Sequence, residues 1–451
     1  MNERLAPEKS FDLIERRMPF AGHEATFYYI DGLVKDDTML KLMQAFLQLK
    51  SLPASAAAFA EENVPYVEVE TAADIDVALH LLLSGGVVLL IEGYAEAVLI
   101  DARTYPVRGI AEPESDRVMR GARDGFVETL IFNTALLRRR IRDPRLRVVY
   151  KSIGKTSKTD VAIAYLEGEA DAAYVKWLSD KLDAIDTDCL PMGRQSLAEC
   201  LIGRKWYNPF PKIRATERPD TAAAQLAEGS VLLLCDTTPE VMLLPTGIFD
   251  FLQETGDYYF PPFTGTYLRI VRHIIFWLTL FLVPLWYLGV MHPAAVPDWL
   301  AFAIPRETGA LPLIAQLYLV EFVIDGLKLA SMNTPSMLAN SLSVVGGLIL
   351  GDFAVNVGWL IPEVILYMAF VSIANFTQAS YELGYAVKFM RMLLLGVTAL
   401  FGAWGFGIGL ALILAMIASN QTVNRRRSYL YPLIPFNAKA MSRLLFRVKK
   451  R

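Results

Sequence analysis

The stretch that decides the fold class is HIIFWLTLFLVPLWYLGVM, residues 273–291, which contains no Asp, Glu, Lys or Arg. A helix of this length spans roughly 28 Å, enough to cross the apolar core of a bilayer. Between residues 273 and 424 the chain carries only seven acidic and four basic side chains. Four more apolar segments follow the first, at 313–332, 339–357, 362–377 and 389–418. We therefore expect a transmembrane helical domain with several spans over residues 263–424.

Basic residues flank this apolar region on both sides. Arg269 and Arg272 precede it, and residues 425–451 carry nine basic side chains and no acidic one. Because Lys and Arg concentrate on the cytoplasmic side of membranes, both ends should face the cytoplasm, which requires an even number of crossings. Because five segments would give an odd number of crossings, one segment should be re-entrant or interfacial. The candidates are residues 389–418, which are interrupted by glycines, and residues 339–357, which form a short segment. The basic tail is expected on the anionic inner leaflet.

The first 262 residues contain an internal repeat. Residues 25–49 match 161–185, and residues 76–100 match 220–244 without a gap. Two matches in the same order, at offsets of 136 and 144, predict two copies of one strand–helix–strand unit. We place α/β subdomain 1 at 1–145 and α/β subdomain 2 at 146–262, and the charged N-terminal stretch gives no signal peptide, so both should be cytoplasmic.

Three charges interrupt the second apolar segment, LYLVEFVIDGLKLASMNTP, residues 317–335. Glu321, Asp325 and Lys328 recur at helical spacing and therefore share one face. A charge that faces lipid at mid-bilayer costs on the order of 2.5–3.5 kcal/mol, so the stripe predicts a hydrated pore or gating path. The alternative is that Asp325 and Lys328 pair with each other or extend to the membrane surface.

Small residues recur every fourth position in the third segment. Such spacing allows another helix to approach closely, either between subunits or within the chain. Asp352 and Asn356 follow at the far end and are further pore-mouth candidates. The small residues are Ala339, Ser343, Gly347 and Gly351.

Signals for enzyme or nucleic-acid chemistry are weak. The stretch GKTSKT, residues 154–159, resembles a P-loop, but position 149 is Val rather than the required glycine, and the stretch precedes a strand instead of following one. The four histidines and three cysteines have no metal-site or catalytic spacing, so we expect no cofactor, no metal and no enzyme activity. Six arginines lie within 138–147 without the aromatic platforms of nucleic-acid binders, which favours a helix end docked on the second subdomain, with Asp143 as one internal partner.

Several long motifs are similar to one family. YYIDGL, RGARDGFVETLIFNTALLRRRI, YNPFPKIRATERPD and VEFVIDGLKLASMNTP occur in order along nearly the whole chain. They resemble the A-subunit (GerA) family of spore germinant receptors, and the wording RDGFVE and TERPD is most similar to its stage V sporulation protein AF branch. The resemblance implies two cytoplasmic α/β subdomains, a membrane domain in the inner spore membrane, and A subunits that form a ring of about five, acting as an ion channel.

Two classes of function remain open. The first is a subunit of an oligomeric ion channel that works with other membrane proteins of germination. The second is a non-conducting membrane scaffold or sensor whose α/β pair binds a ligand or partner. A secondary transporter is less favoured, because no inverted repeat is visible in the membrane half. The predicted fold class is α/β plus α-helical membrane, as tandem α/β subdomains followed by helices with several spans.

Overall fold

Two five-stranded antiparallel sheets hold the ten strands that the described residues form. The computed structural model describes residues 1–104, 118, 120–202, 207–306, 309–333, 354–424 and 428–447. The first sheet consists of β1 (Leu13–Arg17), β2 (Ala25–Ile30), β3 (Val69–Ala72), β4 (Val87–Ile91) and β5 (Ala97–Ile100). The second consists of β6 (Leu146–Ile153), β7 (Thr159–Leu166), β8 (Arg214–Thr216), β9 (Val231–Cys235) and β10 (Val241–Leu244).

The two sheets have the same strand order. The first runs β1-β2-β4-β5-β3 and the second β6-β7-β9-β10-β8, and all neighbouring strands pair antiparallel. Each strand of the second sheet therefore takes the place of the strand five earlier in the chain. This is the arrangement that the sequence repeat predicts, because its first match joins β2 with β7 and its second joins β4 and β5 with β9 and β10.

Helices cover both faces of the first sheet. Val87 and Leu89 point to one face and pack in the core that includes Phe46, whereas Val88 points to the other and packs with Leu82. This alternation explains why β4 is apolar at every position. The helices of the α/β part are α1 (Asn2–Leu5), α2 (Asp36–Leu47), α3 (Ala56–Asn63), α4 (Ile75–Leu83), α5 (Leu130–Arg140), α6 (Ala172–Asp183), α7 (Arg194–Leu201) and α8 (Pro219–Leu226).

Helix α5 packs against the cores of both sheets. Ala135 belongs to the core of the first sheet, and Leu136 and Leu137 belong to that of the second. Gly32 allows the close approach, since a β-carbon at this position would lie 2.8 Å from a methyl carbon of Ile131. Its φ of +79° is also a conformation that favours glycine.

The arginine-rich end of α5 and the strand after it form internal ion pairs. The structure confirms Asp143 as an internal partner, but two arginines of the helix end bind Asp12 and Asp124, which lie within residues 1–145 and not in the predicted second subdomain. The pairs are Arg138 with Asp12, Arg140 with Asp124, Arg145 with Asp143 and Arg147 with Glu167.

The chain forms two compact units. One comprises Met1–Arg204 with Ile213–Thr246 and holds both sheets; the other comprises Lys205–Lys212 with Gly247–Arg451. The domain boundaries expected at residues 145, 262 and 424 stay predictions. The described helices of the second unit are α9 (Pro262–Met291), α10 (Leu313–Asn333), α11 (Ala354–Asn356), α12 (Pro362–Asn375), α13 (Tyr381–Ser419) and α14 (Ala438–Leu445).

Two helices in the described part of the chain are long and apolar enough to cross a membrane. These are α9, with 30 residues, and α13, with 39. Helix α10 has 21 residues but carries the three charges noted above, and α12 has only 14 residues. Most of the predicted 339–357 segment lies outside the described residues.

Helix α13 turns back on itself at Gly402, which has φ 59° and ψ −136°. A β-carbon at Gly405 would lie 2.1 Å from the carbonyl oxygen of Val397, and one at Gly409 would lie 2.7 Å from Leu394. In a continuous helix these pairs would be about 12 Å and 22 Å apart along the axis. The 389–418 segment, one of the two re-entrant candidates, is therefore a helical hairpin.

Candidate functional site

Four charged side chains meet inside the helical unit. Helix α10 supplies Glu321 and Asp325, and the first arm of the α13 hairpin supplies Lys388 and Arg391. Residues three or four apart lie on one face of a helix, so each helix presents its two charges together. We call these four residues the ion cluster.

The cluster is closed by short contacts. Arg391 Nη2 donates to Glu321 Oε2 at 2.6 Å, and Lys388 Nζ lies 3.3 Å from Glu321 Oε1. The same ammonium also pairs with Asp325 Oδ2. Two carboxylates thus face two cations, and with all four groups ionised the cluster carries no net charge.

Three of the four residues are almost fully buried. Lys388 is 3% exposed, Arg391 4% and Glu321 6%, whereas the side chain of Asp325 is 36% exposed. Desolvating an ion costs several kcal/mol, and removing one member of a buried pair destabilises a protein by about 3–5 kcal/mol. The four charges are therefore mutually dependent in this conformation.

Arg391 also binds the first long helix. Its Nη1 donates to the carbonyl oxygen of Thr279 in α9 at 3.2 Å. Pro284, further along α9, lacks the N–H that would bond the carbonyl of Leu280, so hydrogen bonding is already interrupted near this turn. Arg391 therefore connects α9, α10 and α13 at one point.

An open apolar cleft of about 610 Å³ lies beside the ion cluster. Tyr318 borders it and donates to the carbonyl of Met392, the residue after Arg391, at 2.7 Å. A side chain at Gly396 would meet this hydroxyl, since a β-carbon there would lie 2.8 Å from it. The cleft is lined by Tyr287, Ile314, Tyr318, Met392, Leu393, Gly396, Val397, Ala399 and Leu400.

The predicted stripe on α10 is divided in the structure. Glu321 and Asp325 join the ion cluster, whereas the ammonium of Lys328 lies over the ring of Phe376, 5.0 Å from its centre. Asn356 is exposed in α11. Asp352 and the small residues Ala339, Ser343, Gly347 and Gly351 lie outside the described residues. The pore and seam roles assigned to these positions stay predictions.

Sequence reasoning missed Lys388 and Arg391. The predicted apolar segment 389–418 excludes Lys388, and the sequence analysis assigns no role to Arg391. Their spacing of one helical turn matches the spacing of Glu321 and Asp325 with the opposite sign. Two apolar segments with complementary charge pairs are a pairing signal that the sequence does contain.

The sequence predicts a close approach of two helices in the third apolar segment, whereas the described structure shows one within the α13 hairpin. Gly405 and Gly409 are buried against the first arm of α13, whereas Gly407 between them is exposed. In the sequence these glycines predict an interruption of the helix and give no indication that they form a packing surface. Because small residues let two backbones approach, Gly405 and Gly409 hold the hairpin together.

Two of the motifs that carry the family resemblance lie together in the α/β unit. Phe126 of RDGFVE donates from its backbone N–H to the carbonyl of Glu217 in TERPD at 2.8 Å. Arg218, 1% exposed, donates to the carbonyl of Ala122 at 3.1 Å and pairs with Asp220. These two motifs therefore act as one packed structural element.

The start of α9 is joined to the C-terminal helix. Asp257, 1% exposed, accepts from Arg272 at 2.7 Å and from Arg269 at 3.3 Å. Arg269 also donates to the carbonyl of Arg443 at 2.9 Å, which holds α14 beside α9. A basic helix is thereby fixed at the beginning of an apolar one.

The described residues contain no group of three or more His, Cys, Asp or Glu side chains placed to hold a metal ion. The GKTSKT stretch forms the turn between β6 and β7. A turn between paired strands lacks the strand–loop–helix geometry of a P-loop. The three cysteines are unpaired thiols, exposed at Cys189, half-buried at Cys200 and buried at Cys235.

Comparison with known proteins gives a consistent result. Residues 1–451 match the family described as Bacillus/Clostridium GerA spore germination protein. Stage V sporulation protein AF of Bacillus subtilis (strain 168) is 38% identical, over 99% of this chain and 91% of that protein. Spore germination protein KA of the same organism is 28% identical, over 93% of this chain and 78% of that protein.

Among solved structures, one similar chain is the N-terminal domain of the A subunit of the Bacillus megaterium spore germinant receptor GerK3. The two chains are 26% identical, and their alignment covers 54% of this chain and 91% of the solved chain with a TM-score of 0.42. The family match over the full length and the 38% identity confirm the resemblance found in the motifs. The chain belongs to the GerA family of spore germination proteins.

Proposed function

We propose that the chain is a membrane subunit of a spore germination complex and forms an oligomeric ion channel that releases cations during germination. The observation that carries this is the ion cluster, which concentrates charge between α9, α10 and α13 in the apolar unit. Charges in such segments are functional candidates because facing lipid costs on the order of 2.5–3.5 kcal/mol each. Carboxylates drawn from several copies would form the acidic ring typical of cation channels.

The α13 hairpin supports a membrane topology with both ends in the cytoplasm. The hairpin contributes either two crossings or none, because its two arms run in opposite directions from Gly402. One crossing from each of the other four apolar segments then gives an even total in both cases. We place the protein in the inner spore membrane, with the α/β unit in the cytoplasm and a ring of about five copies by analogy with the family.

The basic C-terminal sequence supports an anionic-lipid partner. Residues 425–451 carry nine basic and no acidic side chains, and α14 is fixed beside the start of α9. Each Lys or Arg near an anionic leaflet contributes about 1 kcal/mol of attraction. Other membrane proteins of the germination machinery are the proposed protein partners.

The second candidate is a non-conducting scaffold or sensor whose α/β tandem binds a partner. The neutrality of the ion cluster favours it, since two carboxylates matched by two cations also describe a structural joint between helices. The candidates differ in one measurable property, ion flux.

The test is cation efflux from K⁺-loaded liposomes that contain the purified chain, alone and with other germination membrane proteins. Glu321→Gln should lower the flux because it removes one carboxylate from the path. Glu363→Gln is the matched control, since Glu363 lies in α12 outside the ion cluster. Both variants must keep the wild-type oligomer size. No flux in any combination, either from wild type or from a variant that lacks the ammonium of Lys388, with the oligomer intact, would overturn the channel and leave the scaffold.

A further inference from the structure

Lys388 occupies the position that a free cation would take between two carboxylates. Its ammonium, on a side chain 3% exposed, contacts Glu321 Oε1 at 3.3 Å and pairs with Asp325 Oδ2. An ammonium ion and an alkali cation carry the same charge, and both are bound by oxygen ligands. The lysine is therefore a cation held at the site by its own chain.

The two cations of the ion cluster are held differently. Arg391 is fixed by Glu321 and by the carbonyl of Thr279, which belong to two helices. Among the described residues, Lys388 makes polar contacts with the two carboxylates alone, through a flexible four-carbon stem, and its ammonium lies 6.0 Å from the centre of the Tyr385 ring. Lys388 is therefore the member that is able to leave while Arg391 keeps Glu321 in place.

One oxygen of the site has no partner among the described residues. Asp325 Oδ1 is buried and accepts no hydrogen bond, although Oδ2 of the same carboxylate binds Lys388. A buried acceptor without a donor costs about 1–3 kcal/mol, so this oxygen favours a ligand that binds more than one oxygen at once. The ammonium of Lys388, held by its own side chain, does not contact this oxygen. A free cation has no such tether and would be able to bind both oxygens of Asp325.

The charge balance selects a monovalent ion. Loss of Lys388 lowers the local charge by one unit, whatever the contribution of Lys328, which also interacts electrostatically with Glu321 and Asp325. A single alkali cation restores the charge that Lys388 carried, whereas a divalent cation would add one further positive charge in an apolar environment.

We propose that Glu321 and Asp325 form a binding site for a monovalent alkali cation and that Lys388 occupies it in this conformation as a tethered ammonium. The site rests on the cation channel proposed above and names its occluding residue. Withdrawal of Lys388 from α10 would open the site, and its return would close it.

Binding is tested without any need for conduction. Purified Lys388→Met is melted in increasing KCl and, at equal ionic strength, in choline chloride, whose methyl groups keep oxygen ligands from coordinating the charged nitrogen directly. A ligand that binds only the folded state raises Tm with its concentration. We expect Tm of Lys388→Met to rise with KCl but not with choline, and Tm of wild type to respond equally to both salts.

Three further proteins make the result specific. Lys151→Met removes an ammonium from the carboxylate of Asp183 in the α/β unit and should behave as wild type. Asp325→Asn added to Lys388→Met removes one of the two carboxylates that would bind the cation and should abolish the K⁺ response. Lys388→Gln keeps a hydrogen-bond donor on the carboxylates and replaces Lys388→Met where that variant folds poorly.

The outcomes separate this proposal from the proposed function. Equal Tm in the two salts, or failure of both Lys388 variants to fold even in KCl, would overturn the cation site, because bound K⁺ would replace the lost partner. In liposomes, Lys388→Met should also raise K⁺ flux on the order of tenfold by removing the occluding group. K⁺ binding without flux in any of these proteins would contradict the proposed channel but support the cation site. Flux without K⁺ binding would support the channel but contradict the cation site.

Discussion

The guanidinium of Arg138 donates to Oδ2 of Asp12 from Nη2 at 3.0 Å and from Nε at 3.3 Å, although 126 positions separate the two residues. Neither side chain is exposed beyond 1%. Arg138 also donates to the carbonyl of Leu146 at the start of β6, at 3.0 Å. One buried arginine of α5 therefore joins the segment before β1 to the first strand of the second sheet.

Arg138→Met should destabilise the α/β unit by about 3–5 kcal/mol, because it leaves the carboxylate of Asp12 buried without its cation. Thermal or urea unfolding of the purified chain, followed through the α/β transition, measures the change. Arg17→Met is the control, since Arg17 pairs with Glu15 at the surface with its side chain 68% exposed. Exposed pairs contribute about 0–1 kcal/mol, so equal effects of the two variants would contradict a structural role for Arg138.

The hairpin of α13 gives a second prediction, based on two glycines of the same arm. Gly405→Ala should destabilise the helical unit by about 1–3 kcal/mol, because its methyl group would collide with the Val397 carbonyl 2.1 Å away. Gly407→Ala has nothing within 4 Å of the new methyl group and should be neutral or stabilising. Tm in detergent measures both. If Gly405→Ala were as stable as Gly407→Ala, the two arms would not pack as described.

The α/β part could be predicted further than the helical part. Its repeat places β2 with β7, and β4 and β5 with β9 and β10, because duplicated strands keep the same apolar pattern and the same turns. The packing of α5 against both sheets could not be predicted, because its apolar residues do not show which sheet each one meets.

The ion cluster shows the limit of pattern reading in an apolar segment. Spacing placed Glu321 and Asp325 on one face of α10, and the structure agrees. The helix that packs against Glu321 and Asp325 is determined by tertiary structure, so the sequence alone does not identify Lys388 and Arg391 as their partners. Lys328 lies one turn beyond Asp325 but contacts Phe376, since a long stem can direct its charge away from its neighbours.

The cysteines give a prediction about reactivity. Burial, together with the nearby charge of Asp236, raises the pKa of the Cys235 thiol to about 12, whereas Cys189 is exposed. At pH 8 about one Cys235 in ten thousand would be a thiolate, which is the reactive form. Iodoacetamide should therefore modify Cys189 in the folded protein and Cys235 only after unfolding, as measured by peptide mass spectrometry. Equal rates in the folded protein would mean that β9 does not lie inside the sheet.

The last prediction concerns the apolar surface near α14. Leu433, Ile434 and Phe436 are exposed just before this basic helix, and Phe436 is 70% exposed. Because α14 is fixed at the start of α9, these side chains should insert into the surface of an anionic bilayer while Lys439 and Arg443 face its headgroups. A fluorophore sensitive to polarity, attached at Phe436→Cys, should shift to shorter wavelength in phosphatidylglycerol nanodiscs and be quenched by lipids with a nitroxide near the headgroup.

Cys189→Ser and Cys200→Ser provide the background for this label, since the buried Cys235 should not react. Met192→Cys is the control, because Met192 is 73% exposed in the α/β unit, which we place in the cytoplasm. If the apolar side chains insert and the basic residues strengthen binding, quenching of the label at position 436 should be strong in phosphatidylglycerol and weaker in phosphatidylcholine. The label at position 192 should not be quenched in either lipid. Equal quenching at the two positions would rule out insertion of this surface, and equal quenching at 436 in both lipids would rule out its preference for anionic headgroups.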